Sequence, residues 1–127
     1  MDSVKILAID DVPMNLEMLE VMLLSMPCRF LKAGNGRDAL DLLQLHPDTD
    51  TILLDLTMPV MDGFEMLAQL KMDRRLRDIP VIVITSDKDK VLRSLSLGAN
   101  DFIATPYDTQ ELMLRVMNQL RGKKCRC

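Results

Sequence analysis

At 127 residues the chain is the size of one domain, and its 48% hydrophobic and 28% charged residues are ordinary for a globular protein with a single core. No apolar run approaches the ~20 residues of a membrane-spanning helix, and the opening MDSVKILAIDD is too acidic for a secretory leader, so a cytoplasmic protein with no membrane partner is expected. The net charge of −3 is unevenly spread: residues 1–62 carry eleven acidic and four basic side chains, and residues 63–127 carry eight and twelve. An acidic half repels phosphate backbones, which argues against nucleic-acid binding. A divalent cation is one physical way to pack its carboxylates together. The three cysteines are an odd number and read as free thiols: Cys28 as a small buried hydrophobe, Cys125 and Cys127 in a basic tail with too few neighbouring ligands for zinc.

The chain alternates short apolar runs with amphipathic stretches. Val4–Asp10 reads as a buried strand and Pro13–Met26 as a helix with proline in its first turn. Arg29–Ala33 is a short strand, Gly36–His46 a helix closed by Pro47, and Thr51–Leu56 a third strand. Gly63–Asp73 is a helix, followed by Lys71–Asp78 as a solvated segment. Ile79–Thr85 is the most β-branched run. Asp89–Gly98 is a helix with Gly98 at its end, Asp101–Thr105 a short strand, and Asp108–Gly122 a last helix capped by Asp108 or Thr109. Five strand–helix repeats with continuously apolar strands imply a parallel sheet covered on both faces. Five units are too few for an eight-stranded barrel, leaving an open, doubly wound α/β sheet. Such sheets bind ligands at the carboxyl ends of their strands.

Those ends are where the chemistry collects. The first strand runs into Asp10 and Asp11, the third into Asp55, the fourth into Thr85 and Ser86, the fifth into Thr105 and Pro106. One aspartate at a strand end is commonly a helix N-cap, as Asp11 could be. Three converging carboxylates instead repel one another, and a hard cation such as Mg²⁺ resolves the conflict. Asp55 could then act as a nucleophile that forms an acyl phosphate, with Thr85 donating to a phosphoryl oxygen.

The runs IDD at 9–11, LLDLTMPVMDG at 53–63, VIVITS at 81–86 and GANDFIATP at 98–106, in that order, resemble a response-regulator receiver domain of two-component signalling over about residues 3–121. The resemblance implies a flavodoxin-like, five-stranded parallel sheet of order 2-1-3-4-5 with five helices. It implies a domain over 1–121, with 122–127 a basic tail that is either the start of a linker to an output domain or a natural end. Asp55 would accept phosphate from a histidine kinase or phosphotransfer protein. Asp10, Asp11, Asp55 and the backbone carbonyl of Thr57 would hold Mg²⁺. Thr85 would be the switching hydroxyl and Phe102 the aromatic that moves with it. Pro59 and Gly63 would turn the chain so that the Thr57 carbonyl faces the metal, with Asp62 a turn or cap residue. The domain would catalyse only its own phosphotransfer and dephosphorylation.

One position departs from the family pattern. Receivers usually carry a lysine before the proline that ends the fifth strand, and here that residue is Thr105. A lysine would supply a charge-assisted contact to the phosphoryl group, and threonine brings no charge; Lys88 and Lys90 follow Thr85 and are candidates to substitute. A degenerate receiver that binds or dimerises without phosphate is therefore an alternative. A haloacid-dehalogenase-like phosphohydrolase is a third reading, opposed by Thr57 two residues after the nucleophile and by a nucleophile on the third strand. Met14, Met18, Met22 and Met26 recur at four-residue steps and read as core, with partner docking the minority reading. The fourth and fifth helices and the strand between them, with Val91, Leu95, Met113 and Met117, form the usual receiver output face, for an output domain or a homodimer. His46 lies near a helix end, favourable for a partial positive charge, with no catalytic partner in view.

Overall fold

A computed structural model describes residues 4–56 and 63–124. Its elements run β1 (Val4–Ile9), α1 (Pro13–Met22), β2 (Cys28–Ala33), α2 (Gly36–Leu45), β3 (Thr51–Asp55), α3 (Gly63–Met72), β4 (Val81–Ile84), α4 (Lys88–Ser96), β5 (Asp101–Ile103) and α5 (Thr109–Lys124). The five strands are parallel in the order β2-β1-β3-β4-β5, as expected for a flavodoxin-like sheet. Strand order reverses between β1 and β3, the crevice where doubly wound sheets place their sites.

Successive strand residues point to opposite faces, so the sheet serves two cores. Leu7, Ile9, Ile52, Leu54, Val81 and Val83 pack on one face with Ala39 and Leu43 of α2 and Met66, Leu67 and Leu70 of α3. Ile6, Ala8, Leu53, Ile82 and Ile103 pack on the other with Leu16 and Leu19 of α1 and Leu112, Val116 and Leu120 of α5. Central strands buried on both sides explain why the sequence runs were continuously apolar.

Several element ends differ from the sequence expectation. α1 stops at Met22 rather than Met26, where Leu23 leaves the helix and its N–H turns back to Leu19 and Glu20. Its N-cap is Val12, which has no capping side chain, so Asp11 is not a cap. α4 begins earlier than Asp89 because the Asp87 carboxylate accepts the Asp89 and Lys90 N–H groups. It ends in a Schellman turn: the Ala99 N–H donates to Ser94 O, the Gly98 N–H to Leu95 O, and Gly98 takes φ +110°. At α5, the Glu111 N–H donates to the Asp108 carboxylate at 2.7 Å, making Asp108 the cap.

The methionine stripe is not core. Leu16, Leu19 and Leu23 recur at three- and four-residue steps and take the sheet-facing side of the first helix and its exit turn. Met14 and Met18 fall on the opposite side, 67% and 50% exposed, while Met22 and Met26 are half-buried against the core. The segment Lys71–Asp78 is also less solvated than expected. Leu76 is fully buried, Gln44 Nε2 donates to Asp73 at 2.9 Å, and Lys71 Nζ donates to the Arg77 carbonyl.

The junction between β3 and α3 is tight. A Cβ on Gly63 would lie 2.6 Å from Leu56 Cδ2 and 3.3 Å from the Asp55 carbonyl oxygen. Leu56 is buried and cannot swing into solvent. Gly63→Ala should destabilise the fold by about 1–3 kcal/mol through overpacking, measured as a lower midpoint in urea unfolding.

Candidate functional site

The register delivers the acidic residues to one edge. Ile9 pairs with Leu54, and Asp55 with Ile84, so Asp10, Asp55 and Thr85 lie at or one step past the ends of three adjacent strands. Asp10, Asp11 and Asp55 each present a carboxylate oxygen, and these atoms lie within 4.8 Å of one another. Asp10 is buried, Asp55 half-buried and Asp11 exposed. The donor set consists only of hard oxygens with room for one cation between them, which fits Mg²⁺.

Local bonds hold Asp10 in place. The Val12 N–H donates to Asp10 Oδ1 at 2.9 Å, and Asn15 Nδ2 to Oδ2 at 3.1 Å. Burial pushes the Asp10 carboxyl up from 3.8 to about 6; the Val12 N–H opposes this, and the Asp55 charge reinforces it. The Tyr107 phenol is pushed up as well, by burial and then by the Asp10 charge. Thr85 is buried, its N–H donates to Ile103 O, and its Oγ1 accepts the Asp87 N–H at 3.1 Å.

A cleft of about 410 Å³ opens over this edge. Asp10, Asp55, Thr85 and Thr105 line it, as do Met18 and Met22 of α1 and Tyr107. Among the described residues that line it none is basic; Lys88 and Lys90 sit in the first turn of α4 and are not part of it. Asp11 belongs to the carboxylate cluster without lining the cleft. Phe102 lies apart from the cleft, half-buried, with the Arg115 guanidinium 5.9 Å from its ring centroid. Thr57, Pro59 and Asp62, with the expected metal-binding carbonyl, are outside the described residues, as are Cys125 and Cys127.

Sequence reasoning missed Asn15 and Tyr107. Asn15 is a polar residue in the first turn of the helix that follows the aspartate-bearing strand end, which is a usable signal. Tyr107 had no comparable one.

Residues 6–117 match the response regulator receiver domain family. The chain belongs to that family. Response regulator GtcR of Aneurinibacillus migulanus is 36% identical over 122 residues, which are 94% of this chain and 48% of that protein. The chain thus spans about half the length of this curated relative. Among solved structures, the signal receiver domain of a signal transduction histidine kinase from Syntrophus aciditrophicus is 38% identical with a TM-score of 0.86, covering 94% of this chain and 92% of its own. The receiver domain of sensor histidine kinase PA1611 from Pseudomonas aeruginosa, with a magnesium ion coordinated in its active site cleft, is 26% identical with a TM-score of 0.85, covering 94% and 98%. Receiver domains are signalling domains of two-component systems rather than classical enzymes.

The raised Asp10 carboxyl has a stability consequence. The folded state binds that proton more tightly than the unfolded chain, so its contribution to stability falls as pH rises from about 4 to about 6, then levels. In chelator, wild type should lose about 2–3 kcal/mol relative to Asp10→Asn across that window, read from urea midpoints at each pH. Parallel curves for the two proteins would refute this.

Proposed function

We propose that this receiver takes a phosphoryl group onto Asp55 from a histidine kinase or phosphotransfer protein. The cluster of Asp10, Asp11 and Asp55 oxygens within 4.8 Å, at the reversal point of the sheet, is the observation that carries the reading. In this mechanism an Asp55 carboxylate oxygen attacks the phosphorus of a phosphohistidine. The O–P bond of an acyl phosphate forms as the donor's N–P bond breaks, and the leaving imidazole takes a proton. Asp10, Asp11 and Asp55 would hold Mg²⁺, which when bound neutralises the anionic oxygens drawn together by transfer. Asn15 orients Asp10 through its amide hydrogen bond. Thr85 Oγ1 accepts from the Asp87 N–H, which leaves its own proton to donate to a phosphoryl oxygen.

The signal would leave through α4, β5 and α5. Leu92 and Leu95 of α4 and Leu114 and Met117 of α5 are exposed there, while Val91 is buried and Met113 half-buried. The Arg115–Asp101 ion pair at 3.1 Å ties α5 to β5, and Arg115 also lies over Phe102. A shift of Thr85 and Phe102 would therefore be felt at this face by an output domain or a second copy.

Acetyl phosphate and Mg²⁺ should add the mass of one phosphoryl group to the wild type and none to Asp55→Ala, read by intact mass spectrometry. No gain in wild type, or an equal gain in the variant, would sink the proposal. Asn15→Ala should weaken Mg²⁺ binding about tenfold by freeing a metal-holding carboxylate, measured by isothermal titration.

The lack of a basic residue among the described residues lining the cleft favours a second reading, a domain that binds partners without phosphate. Partner affinity that is the same for wild type and Asp55→Ala, with or without acetyl phosphate, would support it over the first.

A further inference from the structure

The cleft has two chemically different walls, and the phosphoacceptor reading uses only one. Oxygen groups from Asp10, Asp55 and Thr105 form the first. Met18, Met22 and Ile84 contribute an apolar second wall, from which neither a hydrated metal ion nor a phosphoryl group gains anything. A mixed lining in a volume of about 410 Å³ suits a ligand that is part alkyl and part polar.

Charge says what the polar part is. Asp10, Asp11 and Asp55 bring three carboxylates. If Asp55 carries a phosphoryl group of nearly two negative charges, a divalent cation still leaves the site roughly two charges negative. None of the described side chains lining the cleft is basic.

We propose that the cleft is completed from outside by a primary alkylammonium group, the side chain of a lysine on a bound partner protein. Its stem lies along Met18, Met22 and Ile84, and its three N–H donors reach the Asp10 and Asp55 carboxylates and the Thr105 hydroxyl. The inference deepens the phosphoacceptor reading and rests on it: the partner supplies the counter-charge that this chain lacks, so phosphotransfer and partner binding favour one another.

The probe is n-butylammonium, which matches a lysine stem and head, against tetramethylammonium, which has the charge and no N–H donor, at equal ionic strength. In Mg²⁺-free buffer, n-butylammonium should shift the Met18 and Met22 methyl NMR signals of methyl-labelled protein saturably, and tetramethylammonium should not. With acetyl phosphate and Mg²⁺, it should raise the initial rate of phosphorylation about tenfold, the size of one charge-assisted hydrogen bond. Thr105→Lys, at an exposed position, should abolish both responses because its own ammonium occupies the place. Equal effects of the two cations in wild type, or an undiminished response in Thr105→Lys, would overturn the inference. Spermidine bound far more tightly than n-butylammonium would overturn the partner lysine in favour of a free polyamine. Saturable methyl shifts with no phosphate taken up in any arm would defeat the phosphoacceptor reading and leave the ammonium site standing. Phosphate taken up at one rate in both salts, without methyl shifts, would defeat the ammonium site alone.

Discussion

Like charges forced together are the constraint on which this structure turns. Asp10 directly follows β1 and Asp55 ends the neighbouring β3, with oxygens no more than 4.8 Å apart. At the effective dielectric of a protein, ~20, two such charges repel by about 3 kcal/mol. The hydrogen bonds from Val12 and Asn15 to Asp10 are each worth about 1.5–3 kcal/mol, so together they are large enough to offset that repulsion. Burial, reinforced by the Asp55 charge, still lifts the Asp10 carboxyl to about 6. An arrangement of this kind persists only where the surrounding fold is stiff enough to impose it.

The stiffness comes from the parallel sheet. β1 and β3 are interior strands, bonded on both sides, and their side chains are almost entirely buried. An aspartate that ends such a strand or directly follows it cannot drift without disturbing the ladder. Gly63 adds a second restraint. The start of α3 lies so close to the Asp55 carbonyl and to Leu56 that no side chain fits between them, so the end of β3 and the helix after its loop are in contact.

Most of this was legible in the chain itself. Apolar runs such as Thr51–Leu56 and Ile79–Thr85 announced doubly covered strands because burial on both faces removes the polar alternation. Once the strands were parallel, Asp10, Asp55 and Thr85 had to share an edge. The ends of elements were harder. α1 loses its last turn where Leu23 folds back toward Leu19, a tertiary choice with no local marker before Pro27. The four-residue methionine spacing was a genuine helical period, but three leucines competed for the same inward stripe and won it. Tyr107 was out of reach for another reason: its place in the site depends on how the segment before α5 leans over the strand ends, which no spacing along the chain encodes, whereas Asn15 sits in the first turn after the aspartate-bearing strand end, where a polar residue is a signal.

The alternation of the strands has one more implication. Ile6, Ala8 and Leu53 face α1 and α5, and counting on by twos brings Asp10 and Asp55 to that same side. The cleft is accordingly walled by Met18, Leu19 and Tyr107 and by nothing from α2 or α3 among the described residues. The molecule therefore has a listening side and a deaf one. Among the described residues, the cleft lies between α1 and the approach to α5, while α2 packs on the other face of the sheet. A substitution on that rear surface acts first on the core beneath α2 and α3 and reaches the acidic edge only through the sheet.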